Sequence, residues 1–235
     1  MNRSPGMAFA AAAMVVAVAA CSPAAVAPPS VASPLPGASP SPAVPPSGES
    51  SPSQHAAGMT VGGTDVTGPI LHATVGLPTG WANLGWAADV NGGKPPGVGF
   101  FLSLVDNTFK DPCTHVQRSP KVGSTVADAA AAIGEIPDTT ATKPVQTTFV
   151  GHPATYLELT IPASLPCATD QFYLWQDSPG GDWRALGLNA TIRVWILEVG
   201  GQRVAIAARS YAGSSAELKT ELQQVLDSIV FDVSS

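Results

Sequence analysis

Apolar residues in this chain recur with two periods, and the change from one to the other marks out its elements. From Ala154 to Ile161, Leu157, Leu159 and Ile161 alternate with Tyr156, Glu158 and Thr160. That period of two describes a strand with one buried face. The segments Ile192–Val199 (IRVWILEV) and Arg203–Ala208 flank Gly200-Gly201, and a Gly-Gly pair supplies the positive φ values that a tight hairpin requires. Val98–Val105 (VGFFLSLV) is apolar almost throughout and predicts a dense apolar strand. Val145–Val150 predicts another strand, with Gly151-His152-Pro153 as the turn into the next. Phe172–Trp175 and Trp183–Leu186 predict a hairpin around Ser178-Pro179-Gly180-Gly181-Asp182. A first short strand is expected over Ile70–Val75, ahead of the turn Leu77-Pro78-Thr79-Gly80-Trp81.

The helical period appears twice. Val126, Ala129, Ala130 and Ile133 follow i, i+3, i+4, i+7 spacing, with Thr125 as N-cap and Asp128 in capping position. Leu218, Leu222, Val225 and Ile229 place one apolar residue on each turn of a closing helix, for which Ser214-x-x-Glu217 reads as a capping box. Val230–Val233 then predicts a last short strand or an extended tail. Together these patterns describe an α+β domain, an antiparallel sheet with two or more helices packed on it.

The first 57 residues break with both periods. Arg3 precedes an uncharged run from Met7 to Ala20 that ends in Val18-Ala19-Ala20-Cys21. This is the layout of a secretory signal, and the run is shorter than the roughly 20 residues a membrane span needs. The tetrapeptide resembles the lipobox of bacterial lipoproteins. The resemblance implies cleavage before Cys21 and lipidation of that cysteine, so that acyl chains hold the protein on the extracytoplasmic face of the cell membrane. The competing reading is an ordinary secretory signal with Cys21 left as a free thiol. Ser22–Ala57 holds ten prolines and a single full charge, Glu49, a composition that cannot offset its own ordering entropy. As a polyproline-rich spacer it reaches at most about 110 Å. The expected organisation is a signal peptide over 1–20, lipidated cysteine and tether over 21–57, and one globular domain over 58–235.

Charge narrows the partners. Without Arg3, ten basic residues face 17 acidic ones, a net charge of −7. An acidic, lysine-poor chain excludes nucleic acid and anionic lipid as electrostatic partners, so membrane attachment falls to the acyl chains. With Cys21 assigned to lipid, Cys113 and Cys167 remain, and in an exported chain two cysteines favour a disulfide. Unlinked thiols, or a metal shared with His115, are the alternatives.

The strand-turn Pro78-Thr79-Gly80-Trp81, the antiparallel hairpins and the capped helix ending in Asp227-Ser228-Ile229-Val230-Phe231 resemble the PsbP-like α/β/α sandwich. The order of lipobox, Pro/Ser tether and single domain is similar to actinobacterial LpqN-type lipoproteins of the cell envelope. Asp111-Pro112-Cys113, Trp195–Val199 and Tyr211-Ala212-Gly213-Ser214-Ser215 also resemble uncharacterised actinobacterial extracytoplasmic domains. The resemblance implies an architecture and a binding or accessory role, and it carries no catalytic residue.

Candidate chemistry is sparse. Gly123-Ser124-Thr125 and Gly213-Ser214-Ser215 fall at helix starts, where capping explains the hydroxyls. His55, His72, His115 and His152 show no ligand spacing, so no metal or other cofactor is expected. Asp106, Asp111, Glu158 and Glu198 are the acids nearest apolar strands. Of the five tryptophans, Trp81, Trp86, Trp175 and Trp183 border turns, and they are the candidates for lining a groove for a small molecule, lipid or glycan; core packing is the competing role. The expected function is a lipid-anchored binding or accessory lipoprotein, not an enzyme. The alternatives are an envelope hydrolase whose site converges only in the fold, and a sensor domain for a membrane or envelope protein partner.

Overall fold

The two longest alternating segments pair at the centre of the structure, a computed structural model that describes residues 54–60, 71–168, 172–178, 181–184 and 187–232. β13 (Ala190–Val199) and β14 (Gln202–Tyr211) form the hairpin expected across Gly200-Gly201, with Val199 paired to Gln202. Both glycines have positive φ, 59° and 75°, as a two-residue type I′ turn demands. β5 (Val98–Leu104) joins the other edge of β14, and β10 (His152–Ile161) joins that of β13. The sheet is completed by β4 (Ala87–Asp89) and β3 (Ala82–Asn83) beyond β5, and by β8 (Thr140–Ala141) and β9 (Val145–Phe149), which both pair with β10. Every one of these pairings is antiparallel.

Alternation along these strands divides the core in two. Phe100 and Leu102 of β5, Val204, Ile206 and Ala208 of β14, and Leu197 and Val199 of β13 point to one face. There they meet Leu222, Val225 and Leu226 of helix α2 (Ala216–Asp227). The same core takes in Ala73, Val75, Leu77 and Phe231 from a small sheet ordered β1 (Gln54–Thr60), β2 (His72–Pro78), β15 (Val230–Asp232). On the other face, Leu157, Leu159, Ile161, Ile192, Val194 and Ile196 pack under Ala129, Ala130 and Ile133 of helix α1 (Val126–Gly134). Leu174 and Trp175 of β11 (Tyr173–Ser178) share this second core. β11 belongs to a further sheet with β12 (Gly181–Arg184), β6 (Asn107–Asp111) and β7 (Val116–Gln117). The α+β class expected from the periods therefore holds, with the two helices on opposite faces. Full burial of each large aliphatic side chain stabilises the fold by about 1.5–3 kcal/mol.

Several local expectations shift. Strand pairing begins at Gln54, inside the segment read as tether: Gln54–Thr60 lacks proline and buries Ala57 and Met59 against the α2 core. His55 therefore stands in a paired strand. The turn expected at Gly151-His152-Pro153 lies one residue earlier, at Val150-Gly151, and β10 already starts at His152. Pro153 fits the strand because pairing with β13 starts only at Ala154, so its missing N–H costs nothing on that side. The cap of α2 is Ser215, whose Oγ accepts from the Leu218 N–H at 3.2 Å. Ser214 is instead buried, where its Oγ accepts from the Tyr211 N–H at 2.9 Å and donates to the Gly97 carbonyl at 2.9 Å. A hydroxyl claimed by the end of β14 cannot also cap the helix. The box at α1 is as expected: Thr125 Oγ1 accepts from the Asp128 N–H at 3.0 Å, and the Asp128 carboxylate accepts from the Thr125 N–H at 3.1 Å.

Candidate functional site

Where β5 leaves the central sheet for β6, and where the chain approaches α1, a cleft of 620 Å³ opens beside the β13–β14 turn. Its walls come from four stretches of chain: Leu104–Asp106, Lys121–Ser124, Asp177, and Gly200–Arg203. Arg203 stitches three of them together. Its Nε donates to the Val105 carbonyl at 2.8 Å, Nη2 to the same oxygen at 2.5 Å, and Nη1 to the Thr125 carbonyl at 3.1 Å and to the Gly123 carbonyl. The planar, fixed donors of the guanidinium tie the Val105 wall to the Gly123–Thr125 wall. Burial pushes the Arg203 guanidinium down from its usual range, and the Asp106 and Asp128 carboxylates pull it back up.

The remaining charge sits around that clamp. Lys121 Nζ lies 2.6 Å from Asp106 Oδ1, with the lysine side chain 60% exposed and the aspartate 30%. Asp177 is only 7% exposed. The Asp106 N–H donates to the Gln176 carbonyl at 2.7 Å, which ties the start of β6 to β11 and sets Asp106 and Asp177 on neighbouring strands. The loop carrying Lys121 is fastened by buried Asn107, whose Oδ1 accepts from the Val122 N–H at 3.3 Å and whose Nδ2 donates to the Arg118 carbonyl at 3.2 Å. The cleft thus holds two carboxylates, one ammonium and one saturated guanidinium. Leu104, Val105 and Val122 give it an apolar side.

The tryptophans expected to border a groove do not come together. Trp81 is buried in the α2 core, its Nε1 donating to the Glu221 carboxylate. Trp175 is fully buried on the opposite face of the sheet, where its Nε1 donates to Ser103 Oγ at 3.0 Å. The small side chains Ser103, Ala205 and Ala207 leave room for that ring on the sheet. Trp86 packs on the edge of the same core and lines a 40 Å³ cavity with Phe101, Asp89 and Arg209, a space fit for about one water. Beside it the Tyr211 hydroxyl donates to the Gly93 carbonyl at 2.6 Å, and Arg209 lies 5.2 Å from the Tyr211 ring centre. Burial pushes Asp89 above the usual carboxylate range, against the opposing pull of Arg209 and of the Gly93 N–H. Trp183 pairs with Trp175 through its backbone, and its side chain lies outside the described residues.

The other candidates scatter. Glu158 accepts from the Tyr156 hydroxyl at 3.2 Å on the sheet face and Glu198 is exposed, while Asp111 turns back to accept from the Cys113 N–H at 2.9 Å. His115 stacks edge-on against Tyr173, and His152 meets Phe231 at 5.8 Å. Among the described residues no three His, Cys, Asp or Glu side chains form a metal-holding group. Cys113 and Cys167 are joined in a disulfide, with Cα atoms 5.0 Å apart. Cys21 lies outside the described residues. Of the sequence candidates among the described residues, Asp106 and Ser124 line the cleft. Arg203, Lys121 and Asp177 gave no signal, since they stand up to 82 positions apart between Lys121 and Arg203 and meet only through the strand order.

The sequence matches no protein-family model and no curated protein. By shape the chain is similar to the solution structure of cyanobacterial PsbP (CyanoP) from Synechocystis sp. PCC 6803, with 12% identity and a TM-score of 0.32, over 68% of this chain and 86% of that one.

Proposed function

We propose that this protein is a lipid-anchored binding or accessory protein of the bacterial cell envelope, held on the extracytoplasmic face of the membrane by acyl chains on Cys21 and binding its ligand in the cleft beside Arg203. The observation that carries the anchor is a cysteine directly behind Val18-Ala19-Ala20, at the point where an apolar run gives way to a proline-rich one. Two acyl chains give stable attachment where one does not. The Cys113–Cys167 disulfide supports the same address, because such bonds persist in oxidising compartments. The order of lipobox, tether and domain is that of the LpqN-type lipoproteins the sequence resembles. The binding half rests on the cleft: its volume lies in the roughly 300–1,000 Å³ range of small-molecule sites, and Arg203 ties two of its walls together.

Growth of expressing bacteria with a clickable fatty acid tests the anchor. Wild-type protein takes up the label and fractionates with membranes, and Cys21→Ala does neither. An unlabelled wild-type protein overturns the reading.

A further inference from the structure

We infer that the cleft beside Arg203 takes a small zwitterion, a ligand with a free ammonium and a free carboxylate at its two ends, as in an amino acid or a short unblocked peptide. The inference rests on the binding reading above and names the ligand class for the same site. The cleft lining carries both signs of charge, with Asp106 and Lys121 paired to each other at its rim. A ligand charged at both ends can meet both members of that pair, whereas a ligand with a single charge meets only one.

Asp106 and Lys121 show how such a ligand seats. They pair with each other at 2.6 Å at the rim, with the lysine mostly in water. Exposed pairs of this kind contribute only about 0–1 kcal/mol, so exchanging them for ligand partners costs little. An incoming ammonium replaces Lys121 on Asp106, and the ligand carboxylate takes the released Lys121 ammonium. Neither group is then left unpaired. A ligand with one charge leaves one partner unmatched and loses that advantage. Arg203 does not contact the ligand in this arrangement. Its donors are directed to the carbonyls of Val105, Gly123 and Thr125, and it acts as a positioning residue that joins the walls. Leu104, Val105 and Val122 supply the apolar side on which a short aliphatic side chain rests.

Calorimetric titration of the full chain tests this with alanine, Ala-Ala, N-acetyl-Ala-Ala and Ala-Ala amide. Saturable binding of alanine or Ala-Ala is expected, weakened about two- to fivefold by blocking either end. The tighter of the two unblocked ligands tells whether a free amino acid or a peptide is the source. Lys121→Gln weakens Ala-Ala but not Ala-Ala amide, and Asp106→Asn weakens Ala-Ala but not N-acetyl-Ala-Ala, since each variant removes the partner of the group already blocked. Blocked ligands that bind as tightly as the free one overturn the inference, and so does absence of binding by both alanine and Ala-Ala. Should either variant lose its fold, judged by its melting curve, the blocking series on wild type still decides. Failure here with fatty-acid label intact on Cys21 removes the ligand class and leaves the anchor; loss of label with binding intact does the reverse.

Discussion

The two faces of the central sheet are built from the same strands and finished differently. On the α2 face, Val98, Phe100, Leu102, Val204 and Ile206 meet Leu222, Val225, Leu226 and the β2 side chains in a core of hydrocarbon. On the α1 face, the core of Leu157, Ile192, Val194 and Ile196 is interrupted by polar groups that are buried and hydrogen-bonded: Ser103 with Trp175, and Asn107 with the loop at Arg118 and Val122. The disulfide and the Arg203 clamp lie on this same side, with α1 and β6. Hydrocarbon packing is non-directional and tolerates repacking, whereas a buried polar group must be met at a defined distance and angle. The α2 face is therefore held by packing, and the α1 face by packing together with ties at defined positions. A cleft needs positions, and it is found where polar ties and a covalent crosslink hold loops that have little apolar surface of their own.

Opening the disulfide is the strongest test of that division. Cys113 and Cys167 close a loop 54 residues long in sequence separation, so Cys113→Ser should lower stability by about 4 kcal/mol in the chain-entropy account. Urea unfolding of the variant measures the loss. The comparison further requires that hydrogen exchange speed up first in β6, β7 and the Lys121 loop. Uniform acceleration across α2 as well would break it.

Leu222→Ala on the opposite face comes next. Leu222 is 1% exposed and packs into the α2 core, so its truncation should cost about 3 kcal/mol. The amide signals of Asp106, Lys121 and Arg203 should stay where they are in NMR spectra of the variant. Their displacement would show that the two faces are not independent.

The smallest expected effect concerns pH. The Thr125 hydroxyl and N–H hold the Asp128 carboxyl below the usual carboxylate range, and the Thr114 hydroxyl does the same for Asp111. A carboxyl with a lowered folded-state pKa binds fewer protons when folded than when unfolded. Its stabilisation is present above the unfolded pKa and fades as pH falls through the folded one. Melting temperature should therefore drop as pH falls below about 4, the ordinary Asp value. Asp128→Asn should flatten that drop while slightly lowering the melting temperature at neutral pH, where the α1 cap is weakened. A variant with wild-type pH dependence would remove the α1 cap from the account of acid sensitivity.

Elements set by local chemistry were legible in the residues. Gly200-Gly201 names its own turn because few other pairs accept two positive φ values, and Thr125 with Asp128 names its helix start because both hydrogen bonds lie within three residues. Ser214 departs from its local pattern for a reason of the same kind in reverse. Its sequence context fits a cap, but its hydroxyl is drawn to Tyr211 and Gly97, and Gly97 is 117 residues away. Trp81 and Trp175 both border turns in the sequence, and only the layering sends them to opposite sides of the sheet.

By itself the sequence determined the periods, the caps and turns, the α+β class, and the charge-poor, proline-rich leader behind Cys21, because each of these depends on neighbours a few positions apart. The tertiary structure decided which face each strand residue serves and that Asp106, Lys121, Asp177 and Arg203 surround one cleft. Those pairings depend on strand order and register, which the whole apolar core fixes together. No local stretch of chain encodes them.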